Sequence, residues 1–167
     1  MVFTQDMINR LRKCFRALNM RPDNHFVGYY ERGNEIVLYF TYEVDGSDWE
    51  AIKDAFYKSG YRFNGVDFDE NNLYFHFSNA GGIEVEIYNK ANAPSKIPPK
   101  YIDTSSIRAM HRSVDIDNSK FFIEYYGYYG SPSAQDFMSV ESFMAKHGYF
   151  MSYMDLPNYN IINVVYS

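Results

Sequence analysis

One pattern occurs twice in this chain: an apolar run, a short amphipathic segment closed by glycine, and two further apolar runs. The copies occupy residues 35–78 and 120–167. At an offset of 88, Asp48, Trp49, Ile52, Lys58, Gly60, Tyr61, Phe63, Asp67 and Phe68 fall on Asp136, Phe137, Val140, Lys146, Gly148, Tyr149, Met151, Asp155 and Leu156. The offset becomes 89 after one extra turn residue, so that Leu73, Phe75, Phe77 and Ser78 meet Ile162, Val164, Tyr166 and Ser167. Upstream, residues 36–41 match 121–126 at an offset of 85. Two short α/β segments can align this way by chance, but the shared Lys-x-Gly-Tyr with an Asp six residues later favours a structural duplication.

The elements around the repeat follow from periodicity. Residues 4–19 place Met7, Ile8, Leu11, Cys14, Phe15 and Leu18 on one helical face, with Thr4 as its cap and Pro22 beyond its end. Residues 25–31 and 35–44 read as a hairpin turning at Gly33, whose second strand is apolar or aromatic on both faces. Ser47 and Glu50 have the spacing of a capping box, and Trp49, Ile52, Ala55 and Phe56 form the stripe of the helix that follows. Residues 61–68 and 73–78 make a second hairpin, and 83–87 alternate as one more strand.

Residues 90–104, with Pro94, Pro98, Pro99, Lys90, Lys96 and Lys100, read as a linker. Beyond it, a short helix (105–111), strands at 112–116 and 120–129, a helix at 134–147 and strands at 149–155 and 160–166 complete the second copy. Strand runs divided by single helices predict an α+β fold: two tandem ββαββ-like repeats with mainly antiparallel sheets, preceded by an N-terminal amphipathic helix. The expected division is 1–89 (helix, first lobe and extra strand), the linker 90–104, and 105–167 for the second lobe. Each helix covers one sheet face. The remaining faces are expected to cover each other or a neighbouring protomer.

Aromatic residues make up 19% of the 167, with 17 Tyr and 14 Phe against one Trp, so many rings must sit half-exposed on sheets or at an interface. The lone Cys14 can form no disulfide within the chain, which fits a reducing compartment. No basic stretch leading into an apolar one follows Met1, and no uncharged apolar run approaches the roughly 18 residues of a membrane span. A cytoplasmic protein without membrane contact is expected. Net charge is −5 but segregated: +3 over residues 1–32, −8 over 33–89, +4 over 90–112 and −4 over 113–167. Intramolecular attraction between these segments is one explanation; a charged partner is the other.

No nucleophile elbow, phosphate loop, dinucleotide fingerprint or zinc-binding His pair is present, so no catalytic residue, metal ligand or cofactor is assigned. His25, His76, His111 and His147 are scattered, and His76 alternates with Phe75 and Phe77 as a strand histidine would. Asp45, Asp48, Asp67, Asp69 and Glu70 read either as solvated positions or as an acidic face for a basic partner. Tyr125, Tyr126, Tyr128 and Tyr129 are expected to add an aromatic surface. The leading expectation is a non-enzymatic protein-binding module, an inhibitor that occludes a nucleic-acid-handling enzyme, in keeping with the general composition of phage or mobile-element accessory proteins. One alternative is a nucleic-acid-binding module using Arg10, Arg12, Lys13 and Arg16 and the basic linker. Another is a small-ligand or enzymatic site between the lobes. A homo-oligomer is compatible with all three.

Overall fold

The first helix forms because one face is apolar and its end is capped. In the computed structural model, which describes residues 4–84, 92–110, 113–117, 119–127 and 130–167, α1 spans Gln5–Met20. Thr4 Oγ1 accepts from Met7 N–H, and Leu11, Cys14, Phe15 and Leu18 are buried. Ile8, at the end of the expected stripe, is 36% exposed. Burial pushes the Cys14 thiol up to about 11, with Asp48 and Asp54 adding to the effect. Its alkylation at mildly alkaline pH is therefore expected to follow the unfolding rate of the chain. Labelling of the folded protein as fast as of the denatured one would contradict this placement.

Two antiparallel sheets follow. The first has the order β1(Phe26–Arg32), β2(Glu35–Thr41), β5(Asn72–Ser78), β4(Arg62–Phe68). The second has the order β3(Glu43–Asp45), β8(Met151–Asn158), β9(Ile161–Tyr166), β7(Lys120–Tyr126), β6(Ser113–Asp117). Between the strand pairs lie α2(Gly46–Lys58) in the first half and α4(Ala134–Lys146) in the second, with the short α3(Ser105–Met110) preceding β6. Set β1, β2, α2, β4, β5 beside β6, β7, α4, β8, β9, and both halves show the same strand order, first–second–fourth–third. The fold is α+β with two ββαββ repeats behind an N-terminal helix. Gly60 (φ 83°) and Gly148 (φ 88°) occupy the same left-handed position one residue past the last helical turn.

Several boundaries differ from expectation. The strand expected over 35–44 breaks at Tyr42 (φ 62°), whose N–H donates to Asn71 O while its carbonyl accepts from Leu156 N–H. The residues beyond it become β3 and join the second repeat's sheet, Val44 pairing with Met154. Asp45, not Ser47, caps α2, accepting from Ser47 N–H at 2.8 Å. The close seat of this helix on β8 needs Gly46: a Cβ there would lie 1.9 Å from Met151 O. Of the strand expected at 83–87, Ile83 bridges Phe63; residues 85–87 lie outside the described residues. The linker is in part packed: Ile97 N–H donates to His147 O, Tyr149 Oη donates to Ile97 O, and Ile102 is buried.

The inner faces of both sheets meet the helices. Trp49 of α2 packs on Phe63, Phe75 and Phe77 of the first sheet and on Phe137 of α4. Phe137 in turn contacts Phe63 and Tyr125, one from each sheet. Phe15 of α1 stacks on Tyr29 with 4.1 Å between ring centroids and meets Phe56 edge-on. Inside this apolar layer sits one ion pair, Lys53 Nζ with Glu141 Oε2 at 3.1 Å, both side chains at most 10% exposed. Trp49 Nε1–H donates to the other oxygen of Glu141. The expectation that the second faces cover one another is not met. Val37 and Val165 are fully buried on those outer faces, flanked by Tyr30, Tyr39 and His76 in one sheet and by Phe122 and Tyr153 in the other. Within a single chain, half-exposed amphipathic rings line these outer faces.

Candidate functional site

Pairing register, together with alternation, defines two rows of outward side chains on the second sheet. Register places Glu124, Asn163, Asp155 and Glu43 in one row across β7, β9, β8 and β3. The next row holds Asp115, Phe122, Val165, Tyr153 and Asp45, and Asp117 faces Lys120 beyond it. Asp45, Asp115 and Asp117 are exposed; Glu43, Glu124 and Asp155 are half-exposed. Asn163 donates to Asp155 at 3.0 Å, Tyr126 Oη donates to Glu124 at 3.2 Å, and His25 Nε2 lies 3.8 Å from Glu43. Among the described outward residues of these strands, Lys120 is the only Lys or Arg. The result is an acidic surface with Phe122, Tyr153 and Tyr126 set into it.

The outer face of the first sheet is mixed. Tyr30, Tyr39 and Tyr74 form a row of rings, with centroids 6.2 and 6.0 Å apart. Beside it an open cleft of about 720 Å³ lies between this sheet and residues 131–134, which lead into α4. His76 is its centre: Nδ1 is 3.5 Å from Glu35, Nε2 is 3.2 Å from Asp67, and Ser131 Oγ donates to Asp67 at 2.9 Å. Asp67 thus stands between serine and histidine, and the Ser131 hydroxyl is directed at its carboxylate and not at the imidazole. This bond ties the loop before α4 to β4. Among the described residues, no group of three or more His, Cys, Asp and Glu is placed to hold a metal ion.

The acidic residues singled out in the sequence separate. Asp45 lies on the acidic sheet face and caps α2. Asp48 is only 4% exposed and ion-pairs with Arg21, so it is withdrawn from any partner surface. Burial raises its carboxyl despite the opposing guanidinium. Asp67 belongs to the His76 cleft, and Asp69 and Glu70 to the β4–β5 turn. Burial opposes, but the Tyr74 hydroxyl and the N–H groups of Asn71 and Asn72 hold Asp69 below the usual carboxylate range. Five carboxylates expected on one face therefore lie in four places.

The aromatic surface needs a larger correction. Tyr125 is 4% exposed and points inward with Phe121 and Ile123, because β7 alternates and the odd-numbered positions meet α4. Tyr126 faces outward; Tyr128 and Tyr129 lie outside the described residues. Arg10, Arg12, Lys13 and Arg16 are exposed on α1, with Arg10 donating to Lys58 O at 3.1 Å. They stand on the inner side of the first sheet, away from its tyrosine row. Sequence reading missed Glu43, Asp115, Asp117, Glu124 and Asp155. Their alternation within strands was a usable signal, but the strand neighbours that unite them were not. Comparison with protein-family models, curated proteins and solved structures gives no match.

Proposed function

We propose that this protein is a non-enzymatic protein-binding module that presents the acidic outer face of its five-stranded sheet to a basic groove of a partner. The observation that carries this reading is the six-carboxylate surface of Glu43, Asp45, Asp115, Asp117, Glu124 and Asp155, opposed within those strands by Lys120 alone. Such a field steers and orients a basic partner, and inset aromatic rings supply contact area. Grooves that handle nucleic acid have this charge, so occlusion of such an enzyme is the specific form proposed. The basic-helix alternative is less well supported, because the Tyr30, Tyr39 and Tyr74 row lies on the opposite side of the first sheet from the α1 cations, and Tyr29, the exposed ring beside them, is already stacked on Phe15, whereas single-strand binding surfaces set several free rings among their cations.

Charge reversal tests the proposal. With Glu43, Asp115, Glu124 and Asp155 changed to Lys, capture of the native partner from host extract is expected to be lost, the melting temperature remaining near that of the unchanged chain. Added duplex DNA should compete with capture by the unchanged chain. Reversing Arg10, Arg12, Lys13 and Arg16 to Glu should leave capture intact. Direct, salt-sensitive binding of labelled DNA or RNA that vanishes with the α1 variant would overturn the proposal in favour of nucleic-acid binding.

A further inference from the structure

Among the described residues the two sheets have four edges, of which three carry protection against strand addition. β3 has three residues and runs directly into α2, and β6 has five with exposed Asp115 and Asp117. β4 is bulged between Phe63 and Gly65, bridged by Ile83 and tied through Asp67 to Ser131. The fourth edge, β1, has an irregularity at its start, between Phe26 and Gly28, and a charged end at Glu31 and Arg32, but it is neither short nor bridged nor tied to another segment between them. It is seven residues long, contains neither Lys nor Pro, and among the described residues no strand pairs with its outer side. Val27, Tyr29 and Tyr30 along it are 50, 48 and 42% exposed. A seven-residue edge with exposed apolar and aromatic side chains and unpaired backbone groups is a template for another strand.

The chemistry of the edge selects the occupant. Free backbone N–H and carbonyl groups are satisfied by an extended chain, and the only ionised side chains of β1 are the adjacent Glu31 and Arg32. A strongly acidic or basic segment finds no complementary charge on this neutral strand; a second copy of the strand does not need one. We infer that β1 pairs antiparallel with β1 of a second copy across a twofold axis at Tyr29, joining the four-stranded sheets into one of eight strands. Both copies then keep their helices on the same side of the joined sheet. In this register Tyr29 faces Tyr29, Val27 faces Glu31, and no like charges are opposed. Tyr30 of each copy lies opposite Gly28 of the other, on the outer face. There the absent side chain leaves room beside the Tyr39 ring, which a Cβ at Gly28 would meet at 3.4–3.6 Å. The tyrosine row thereby continues across the junction, and the contact is isologous, as a closed dimer requires.

Sedimentation equilibrium of the full chain at rising concentration tests the inference, with a reversible shift to twice the monomer mass expected. Val27→Lys with Tyr30→Lys should raise the dimer dissociation constant by more than about tenfold with the thermal transition unchanged, while Ile116→Lys on β6 should not. Tyr29→Cys in a Cys14→Ser background should form a crosslinked dimer under mild oxidation. That readout stands even if the lysine variant fails to fold. A monomer at every concentration, a dimer indifferent to the β1 lysines in a folded variant, or failure of the Tyr29→Cys variant to crosslink would each overturn the assignment. The acidic sheet lies elsewhere, so this outcome is independent of the proposed partner binding.

Discussion

Trp49→Ala is expected to lower the unfolding free energy by roughly 3–5 kcal/mol, the usual cost of truncating a large core aromatic. The indole is fully buried and touches Phe63, Phe75 and Phe77 of one sheet and Phe137 of the other repeat's helix. Removing it opens a cavity where the two halves meet, which no single sheet can relax to fill. It also deletes the N–H that satisfies Glu141 and the ring beneath Lys53, whose Nζ lies 5.4 Å from the ring centroid. Chemical denaturation followed by far-ultraviolet circular dichroism measures the loss. A midpoint equal to that of the unchanged chain would show that the indole does not occupy this junction.

Glu141→Leu is the second large effect. The carboxylate accepts from Trp49 and pairs with Lys53 in a region with little access to water, and its removal leaves an ammonium buried without a counter-ion. Breaking such a pair typically costs about 3–5 kcal/mol, because the remaining charge keeps its desolvation penalty and loses its partner. Lys53→Met added to Glu141→Leu should then recover most of the stability, since the pair's net contribution over apolar groups is small. The buried hydroxyls of Tyr125 and Tyr166 enter the same balance. Burial first, and the Glu141 charge second, push both phenols above the ordinary tyrosine range. A double variant no more stable than Glu141→Leu alone would show that the carboxylate matters through these neighbours and not through Lys53.

Local physics was legible in the sequence to a considerable depth. The stripe Leu11, Cys14, Phe15 and Leu18, the matched Gly60 and Gly148, the hairpin at Gly33 and the 88-residue offset determined the helices, the turns and the identical order of both repeats. These depend on contacts between residues near in sequence, or on a backbone conformation that one residue type adopts at little cost. Tyr125 exposes the limit of this reading. Its position in a tyrosine-rich run suggests a surface, and only the parity of β7 against α4 turns it inward.

What the tertiary structure alone decided is how the halves combine and where charge accumulates. The crossing of β3 into the second sheet depends on backbone hydrogen bonds at Tyr42, whose N–H donates to Asn71 O and whose carbonyl accepts from Leu156 N–H, which no local pattern announces. Asp48 looked like its solvated neighbours until Arg21 and the α1–α2 contact enclosed it. Glu43, Asp115, Glu124 and Asp155 come from four separate strands, 112 residues apart at the extremes, and become one surface only through register. A strand's alternation determines which of its residues share a side, because side chains alternate with period two. Which strand lies beside it is settled by long-range pairing, where the pairing energy is spread over backbone groups common to every residue.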